Sequence, residues 1–182
     1  LMALANKEID LIYDYASPTS YTLLDVIAGK DFIDEGRSEY SGCNQATFGM
    51  LNAANQVYDF REAVVKCLDW DLIRQLSCGD YGQIPGSGVI PPVNVGYDDS
   101  LWKFYTDVDE ANSILDKAGF ADADGDGFRE LPDGTPFTYK VSSQMTKAKQ
   151  ELFNRIGEIM VDGLKKIGVN AYYVTDALTS SE

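Results

Sequence analysis

The residues with the clearest chemical potential lie in one short acidic loop, ADADGDGFRELPDG, which spans residues 121–134. Carboxylate side chains recur there at alternate positions, which is the spacing of the EF-hand calcium loop. Gly127 falls where that loop makes its sharp turn, and Ca²⁺ prefers oxygen ligands of this kind. The pattern predicts a Ca²⁺ ion held by the side chains of Asp122, Asp124, Asp126, Glu130 and Asp133 and by the backbone carbonyl of Phe128.

The same loop has a second interpretation, as a solvated turn that needs no metal. The tripeptide Pro132-Asp133-Gly134 is typical of the tip of a hairpin, and the helix that follows the loop in an EF-hand is missing from the pattern. The five acidic side chains are offset only by Arg129, so either a cation or open solvent must relieve their repulsion. No other cofactor is required by the sequence.

A second set of candidate residues follows the predicted strand at 137–143. Ser142, Ser143 and Gln144 are neutral hydrogen-bonding residues, and Lys147 adds a cation nearby. In open α/β sheets, ligands bind beyond the carboxyl ends of the strands, so these four side chains could hold amide or carboxylate groups of a ligand. The alternative is that Ser143 or Thr146 simply caps the following helix.

The elements that must position these residues are a strand, a long helix and a second strand. Residues 137–143 (FTYKVSS) alternate as a strand does, and residues 150–167 carry apolar side chains at helical spacing before Gly168. Residues 169–175 (VNAYYVT) form the next strand. Short joints between the three elements predict a βαβ unit with parallel strands. The fold class is therefore α/β, a mixed sheet with flanking helices.

Other patterns predict elements further up the chain. Residues 8–15 (EIDLIYDY) are typical of a strand, and a short helix before Gly29 follows it. Asp59, Asp69 and Asp107 are each placed to cap a helix. No internal repeat or boundary divides the chain, so residues 1–182 are expected to form a single domain.

The charge balance excludes one class of partner. The 182 residues include 15 Lys and Arg against 29 Asp and Glu, which gives a net charge of -14. Such a field repels a nucleic-acid backbone, so we expect no nucleic acid as a partner. No apolar run approaches the roughly 20 residues that a membrane-spanning helix needs.

Two further features of the composition limit the chemistry. The chain contains no histidine, which excludes Ser-His-Asp and Cys-His arrangements. Cys43, Cys67 and Cys78 lack the spacing of a zinc or redox site, and we expect no structurally necessary disulfide among them. The first residues are not those of a secretory signal and indicate a piece of a longer protein.

The order of several segments resembles extracellular solute-binding protein family 5, the oligopeptide-, dipeptide- and nickel-binding proteins of ABC importers. The resemblance covers roughly residues 5–175 and rests on EIDLIYD, FREAVVKCLDWDLIRQLSCGDYG, VIPP, DVDEANSILDKAGFADADGDGFRELPDGTPFTYKVSS and LFNRIGEIMVDGLKKIGVNAYYV. The resemblance implies one ligand-binding lobe of a larger two-lobe protein, with a periplasmic-binding-protein-like (type II) fold. In the family, the segments matching Gly42 to Asn44 and Ser142 to Lys147 lie at the cleft between the lobes, which adds Asn44 to the candidate ligand-binding residues.

What the resemblance implies about function is a substrate-binding component rather than an enzyme. Its partners would be a peptide or other small solute, the remaining lobe of the same polypeptide, and the membrane subunits of the transporter. Its location would be extracellular, as a membrane-anchored lipoprotein, or periplasmic. The residues alone leave two alternatives open: a calcium-stabilised structural or adhesion module of a surface protein, and a carboxylate-dependent hydrolase.

Overall fold

The computed structural model describes residues 1–13, 21–36, 44–84, 86, 90–101, 103–143 and 147–175. Six α-helices and two strands lie in these ranges, together with two short 3-10 helices at Tyr21–Val26 and Gly79–Tyr81. In chain order the main elements are α1 (Met2–Ala5), α2 (Ala53–Gln56), α3 (Tyr58–Cys67), α4 (Trp70–Cys78), α5 (Val108–Lys117), β1 (Tyr139–Ser143), α6 (Lys147–Lys166) and β2 (Ala171–Thr175).

The predicted βαβ unit is confirmed. Strands β1 and β2 pair in parallel, with a register that runs from Tyr139 opposite Ala171 to Ser143 opposite Thr175. Helix α6 connects them and is followed by Gly168 with φ 73°. In the described part of the chain, the sheet consists of this parallel pair, and one isolated antiparallel bridge joins Gly86 to Lys103. The α/β class predicted from the sequence is confirmed, but the sheet among the described residues is parallel where a mixed sheet was expected.

The core lies where helices α3, α5 and α6 meet the two strands. Its largest fully buried apolar side chains include Phe60, Phe120, Leu115, Leu164 and Ile167. The ring of Phe60 lies 5.4 Å from those of Phe120 and Tyr139, centroid to centroid. Such aromatic contacts stabilise beyond the area they bury, so this cluster ties α3 to the sheet.

The backbone of helix α6 packs directly against the end of α3 because of one glycine. A Cβ atom at Gly163 would lie 2.6 Å from the carbonyl oxygen of Cys67, closer than any real side chain approaches. Glycine therefore sets the spacing between these two helices.

Two of the three predicted helix caps are confirmed, and one is wrong. The Asp69 side chain accepts a hydrogen bond from Leu72 N at 3.0 Å, and that of Asp107 accepts one from Glu110 N at 2.8 Å. Helix α3 instead begins at Tyr58, one residue before Asp59, with Val57 at its N-cap. Asp59 lies in the first turn, where a carboxylate interacts favourably with the helix dipole.

The strand predicted at residues 8–15 is wrong over its described part, 8–13. These residues form no strand, and the side chains of Leu11 and Tyr13 are 77% and 82% exposed. The physical reason is that a strand needs a neighbour to pair its backbone, and no described segment pairs with this one. The short helix expected before Gly29 is present as the 3-10 helix Tyr21–Val26.

One lysine is buried among the helices. The side chain of Lys66 is 1% exposed, and its Nζ donates to Glu110 Oε2 at 3.0 Å and to the hydroxyl of Tyr105. Burial by itself lowers the pKa of Lys66, but the hydrogen bonds with Tyr105 and Glu110 outweigh it and leave the pKa above its ordinary value. The Lys66–Glu110 ion pair joins α3 to α5, and the bond to Tyr105 joins α3 to the segment before α5.

The two described cysteines, Cys67 and Cys78, are free thiols. Burial raises the pKa of Cys67 to about 12, and it also raises the pKa of Cys78. Cys43 lies outside the described residues. Among those residues, no helix is both long and apolar enough to span a bilayer.

Candidate functional site

Polar side chains gather where β1 and β2 end. Alternation along each strand, together with the register, places Ser143, Tyr173 and Thr175 on one face of the pair. Gln150 and Asn154 approach that face from the first half of α6, since residues four apart lie on the same side of a helix. We call these five residues, Ser143, Gln150, Asn154, Tyr173 and Thr175, the strand-end network.

The strand-end network converges on a single oxygen. Asn154 Oδ1 accepts hydrogen bonds from Gln150 Nε2 at 2.7 Å, from the Tyr173 hydroxyl at 2.9 Å and from Thr175 Oγ1 at 3.2 Å. Ser143 Oγ is hydrogen-bonded to the Tyr173 hydroxyl and accepts from Gln150 Nε2 at 3.3 Å. The five side chains thus hold the ends of both strands against the helix.

A glycine in α6 makes room for the ring at the centre of this network. A Cβ atom at Gly157 would lie 2.2 Å from Cε2 of Tyr173. The ring therefore rests directly against the helix backbone, which fixes where its hydroxyl lies.

The structure separates the ligand-binding residues predicted from the sequence. Ser143 belongs to the strand-end network, whereas Ser142 is exposed on the opposite face of β1. Asn44 is exposed, and no hydrogen bond joins it to another described residue. Lys147 begins α6, and Gln144 lies outside the described residues.

Four members of the network were not predicted from the sequence: Gln150, Asn154, Tyr173 and Thr175. Two amide side chains four residues apart, on a helix that directly follows a strand, are a signal that could have found the first two. The tyrosine and threonine at alternate positions of the second strand could have found the others.

The acidic loop brings together most of the predicted metal ligands. Asp122, Asp124, Asp126 and Glu130 each offer a carboxylate oxygen, and these atoms all lie within 4.8 Å of one another. The three aspartates are exposed and Glu130 is buried. Four acidic groups this close repel each other unless donors or a cation offset their charge.

Backbone donors already offset part of that charge. Asp122 accepts from the amides of Gly125 and Gly127 at 2.8 and 3.0 Å, and Asp126 accepts from Phe128 N at 2.7 Å. The buried Glu130 accepts from Ala123 N at 2.6 Å. These bonds fold the loop on itself, and the four carboxylate oxygens lie within 4.8 Å of one another.

Asp133 does not belong to that group of four. Its Oδ1 accepts from Thr135 N at 3.0 Å within the turn at 131–135, and the hydrogen bonds from Thr135 hold the pKa of Asp133 below its ordinary value. The predicted turn at Pro132-Asp133-Gly134 is present, since Gly134 N donates to Leu131 O at 2.7 Å.

Arg129 attaches the acidic loop to the rest of the fold. Its backbone N–H donates to Gly168 O at 2.7 Å, and its Nε donates to Ile167 O at 3.0 Å. Its other nitrogens donate to Asp116 Oδ1 at 2.6 Å, Phe120 O at 2.6 Å and Asn112 Oδ1 at 3.1 Å. One guanidinium thus holds the loop to the C-terminal ends of α5 and α6, where a cation is favoured by the helix dipoles.

A family model matches nearly the whole chain. Residues 1–175 match the model described as bacterial extracellular solute-binding proteins, family 5 Middle. No curated protein matches the chain.

Solved structures share the fold. The oligopeptide-binding protein AppA of Bacillus subtilis, in complex with a nonapeptide, is 23% identical with a TM-score of 0.62, over 73% of this chain and 26% of that one. NikZ of Campylobacter jejuni, in complex with Ni(L-His), is 21% identical with a TM-score of 0.66, over 98% and 34% of the two chains. MelB of Agrobacterium fabrum, in complex with stachyose, is 25% identical with a TM-score of 0.56, over 70% and 19%.

These likenesses confirm the fold class expected from the sequence, an α/β part of a periplasmic-binding-protein-like (type II) fold. The chain spans between 19% and 34% of the length of the three solved chains.

Proposed function

Because this chain belongs to the bacterial extracellular solute-binding proteins of family 5, we propose that it is one ligand-binding lobe of the substrate-binding component of an ABC importer. The observation that carries the proposal is the family match over residues 1–175. The solute is a peptide or a similar small molecule, in keeping with the nonapeptide bound by AppA.

The ligand meets this lobe at the strand-end network. Ligands of open α/β sheets bind beyond the carboxyl ends of the strands, and the network occupies that edge of β1 and β2. Since Ser142 and Ser143 lie on opposite faces of β1, the two serines do not contact the same group of a ligand. The proposal therefore assigns ligand contact to the face of Ser143.

The partners follow from the same proposal. The remaining lobe of the polypeptide closes the cleft over the solute, and membrane subunits of the importer receive it. The location is extracellular or periplasmic, the former through a lipid anchor. Binding rather than catalysis is the proposed role, because the matched family consists of solute-binding proteins. The alternative of a calcium-stabilised adhesion module finds no support in the comparisons.

The first experiment compares the full-length protein with residues 1–182 alone by titration calorimetry. The probes are a mixture of random-sequence pentapeptides, stachyose and a nickel–histidine complex. Full-length protein should bind one probe class in the micromolar range. The single lobe should bind no tighter than roughly millimolar, about 4 kcal/mol, because half of the enclosing surface is missing.

Ser143→Ala and Ser142→Ala, tested in the full-length protein, form a matched pair. The first should weaken binding and the second should leave it unchanged. Full-length protein that binds none of the three probes would contradict the proposed function. Equal effects of the two serine substitutions would contradict the assigned face.

A further inference from the structure

We infer that Asn154 contacts the solute directly and donates a hydrogen bond from its amide nitrogen to an uncharged acceptor oxygen of the ligand. The inference rests on the proposed function and adds a specificity-determining residue to it. It follows from the way the strand-end network uses its hydrogens.

The orientation of the Asn154 amide is set by its neighbours. Three groups that carry hydrogens surround one of its two terminal atoms: Gln150 Nε2, the Tyr173 hydroxyl and Thr175 Oγ1. An amide nitrogen only donates and cannot accept from Gln150 Nε2, which is itself a donor, whereas Oδ1 accepts from all three groups. The terminal atom that faces the network is therefore Oδ1, and Nδ2 faces away from it.

The hydrogens of the network are then fully assigned. The Tyr173 hydroxyl donates its one hydrogen to Asn154 Oδ1. In its contact with Ser143 Oγ it is therefore the acceptor. Gln150 Nε2 donates one hydrogen to Ser143 Oγ and the other to Asn154 Oδ1. Thr175 donates to Asn154 as well. Within the network, every donor except Nδ2 of Asn154 has an acceptor.

That nitrogen carries two hydrogens and has no acceptor among the described residues. Asn154 is half-buried, and three hydrogen bonds to its oxygen hold the amide in one rotamer. A donor that is fixed in place and desolvated on one side loses little entropy when a ligand binds to it. Nδ2 is therefore the part of the strand-end network that is prepared for a ligand.

The charge of the surroundings favours a neutral ligand group. The five members of the network are all uncharged, and two of the charged residues near Asn154 on α6, Arg155 and Glu151, pair with each other at 2.6 Å. An amide or carbonyl oxygen or a hydroxyl of the solute meets this environment without leaving an unpaired charge.

The decisive variant is Asn154→Asp in the full-length protein. A carboxylate has nearly the same shape and still accepts from Gln150, Tyr173 and Thr175, but it has no hydrogen to donate. If Asn154 donates to the ligand, the variant keeps the melting temperature of the wild type and its Kd for the pentapeptide mixture, or for whichever probe the wild type binds, rises at least about 10-fold. Gln83→Glu makes the same amide-to-carboxylate exchange at an exposed position and should change neither quantity.

Three results would overturn the inference. An unchanged Kd in Asn154→Asp means that the amide nitrogen does not reach the ligand. A large fall in melting temperature means that the nitrogen was already bonded within the protein, and Asn154→Leu, which also removes the oxygen that Gln150, Tyr173 and Thr175 donate to, then gives a larger fall. Wild-type protein that binds none of the probes removes the proposed function itself, a failure distinct from the first two because it appears before any substitution is made.

Discussion

The ring of Tyr173 and the backbone of Gly157 occupy adjoining space with no room for a methyl group between them, since a Cβ at Gly157 would lie 2.2 Å from Tyr173 Cε2. Glycine at this position is therefore a packing requirement of the ring. It costs helix stability, because glycine is the poorest helix former after proline.

Gly157→Ala should destabilise the fold by about 1–3 kcal/mol, the usual cost of overpacking, in spite of the better helix propensity of alanine. Chemical denaturation measures the change. In a Tyr173→Val background the same substitution should become neutral or stabilising, since the ring that it strikes is gone. Gly49→Ala, where nothing lies within 4 Å of the added atom, serves as the control. A stabilised Gly157→Ala single variant would show that the ring does not rest on the helix.

The ion pair between Lys66 and Glu110 should make stability depend on acid pH. Hydrogen bonds from Tyr105 and Lys66 hold the pKa of Glu110 below its ordinary value of 4.5. A carboxylate whose pKa is lowered by folding stabilises the protein above that ordinary value, and this contribution is lost as the pH falls through the folded pKa.

The measurement is the difference in unfolding free energy between wild type and Glu110→Gln. We expect the wild type to be more stable at pH 7 and the difference to shrink as the pH falls below 4.5. Asp109→Asn removes the same charge from the same helical turn and has no bond to Lys66, so it should show a smaller difference. A difference that does not vary with pH would argue against the ion pair.

The thiol of Cys67 should resist alkylation in the folded protein. It is 1% exposed, and with a pKa of about 12 it is almost entirely protonated at neutral pH, while the thiolate is the reactive form. Iodoacetamide followed by peptide mapping should find Cys67 unmodified until urea unfolds the chain. Cys78, which is only half-buried, should react first. Labelling of both cysteines at the same rate under native conditions would contradict the buried position of Cys67.

The calcium ion expected in the acidic loop stays a prediction, and chelation tests it. If the loop binds Ca²⁺ and the free Ca²⁺ concentration is 100 times the Kd, binding stabilises the folded protein by about 2.7 kcal/mol. A chelator should then lower the melting temperature. Asp124→Ala should abolish the chelator effect, whereas Asp109→Asn should retain it. Melting curves that do not respond to excess chelator would identify the loop as a turn held by its own backbone hydrogen bonds.

The parts of the fold that could be predicted from the sequence are those decided by neighbours along the chain. The caps at Asp69 and Asp107 and the βαβ unit depend on residues a few positions apart. The strand expected at residues 8–15 could not be judged in this way, because a strand exists only where another segment pairs with it.

The spacing of its residues points to the members of the strand-end network, but their contacts could not be predicted from the sequence, for a similar reason. Asn154 meets Tyr173 and Thr175 only because the register of two strands and the rotation of one helix are fixed together. Neither of these two quantities can be read from the residues themselves. The acidic loop, by contrast, was found from its spacing alone, since its four clustered carboxylates lie within nine consecutive residues, 122–130.

Arg129 holds the C-terminal end of α6 through Ile167 and Gly168, while the strand-end network holds Asn154 in the first half of the same helix. Asn154 lies about 20 Å along the helix axis from Ile167, at 1.5 Å of rise per residue. A tilt of the helix by about 2° about its C-terminal end would therefore displace Asn154 by about 0.7 Å, more than the roughly 0.5 Å range of N–H···O hydrogen-bond lengths. A substitution at Arg129 is therefore expected to displace Asn154 relative to its partners Tyr173 and Thr175, although Arg129 contacts none of the three.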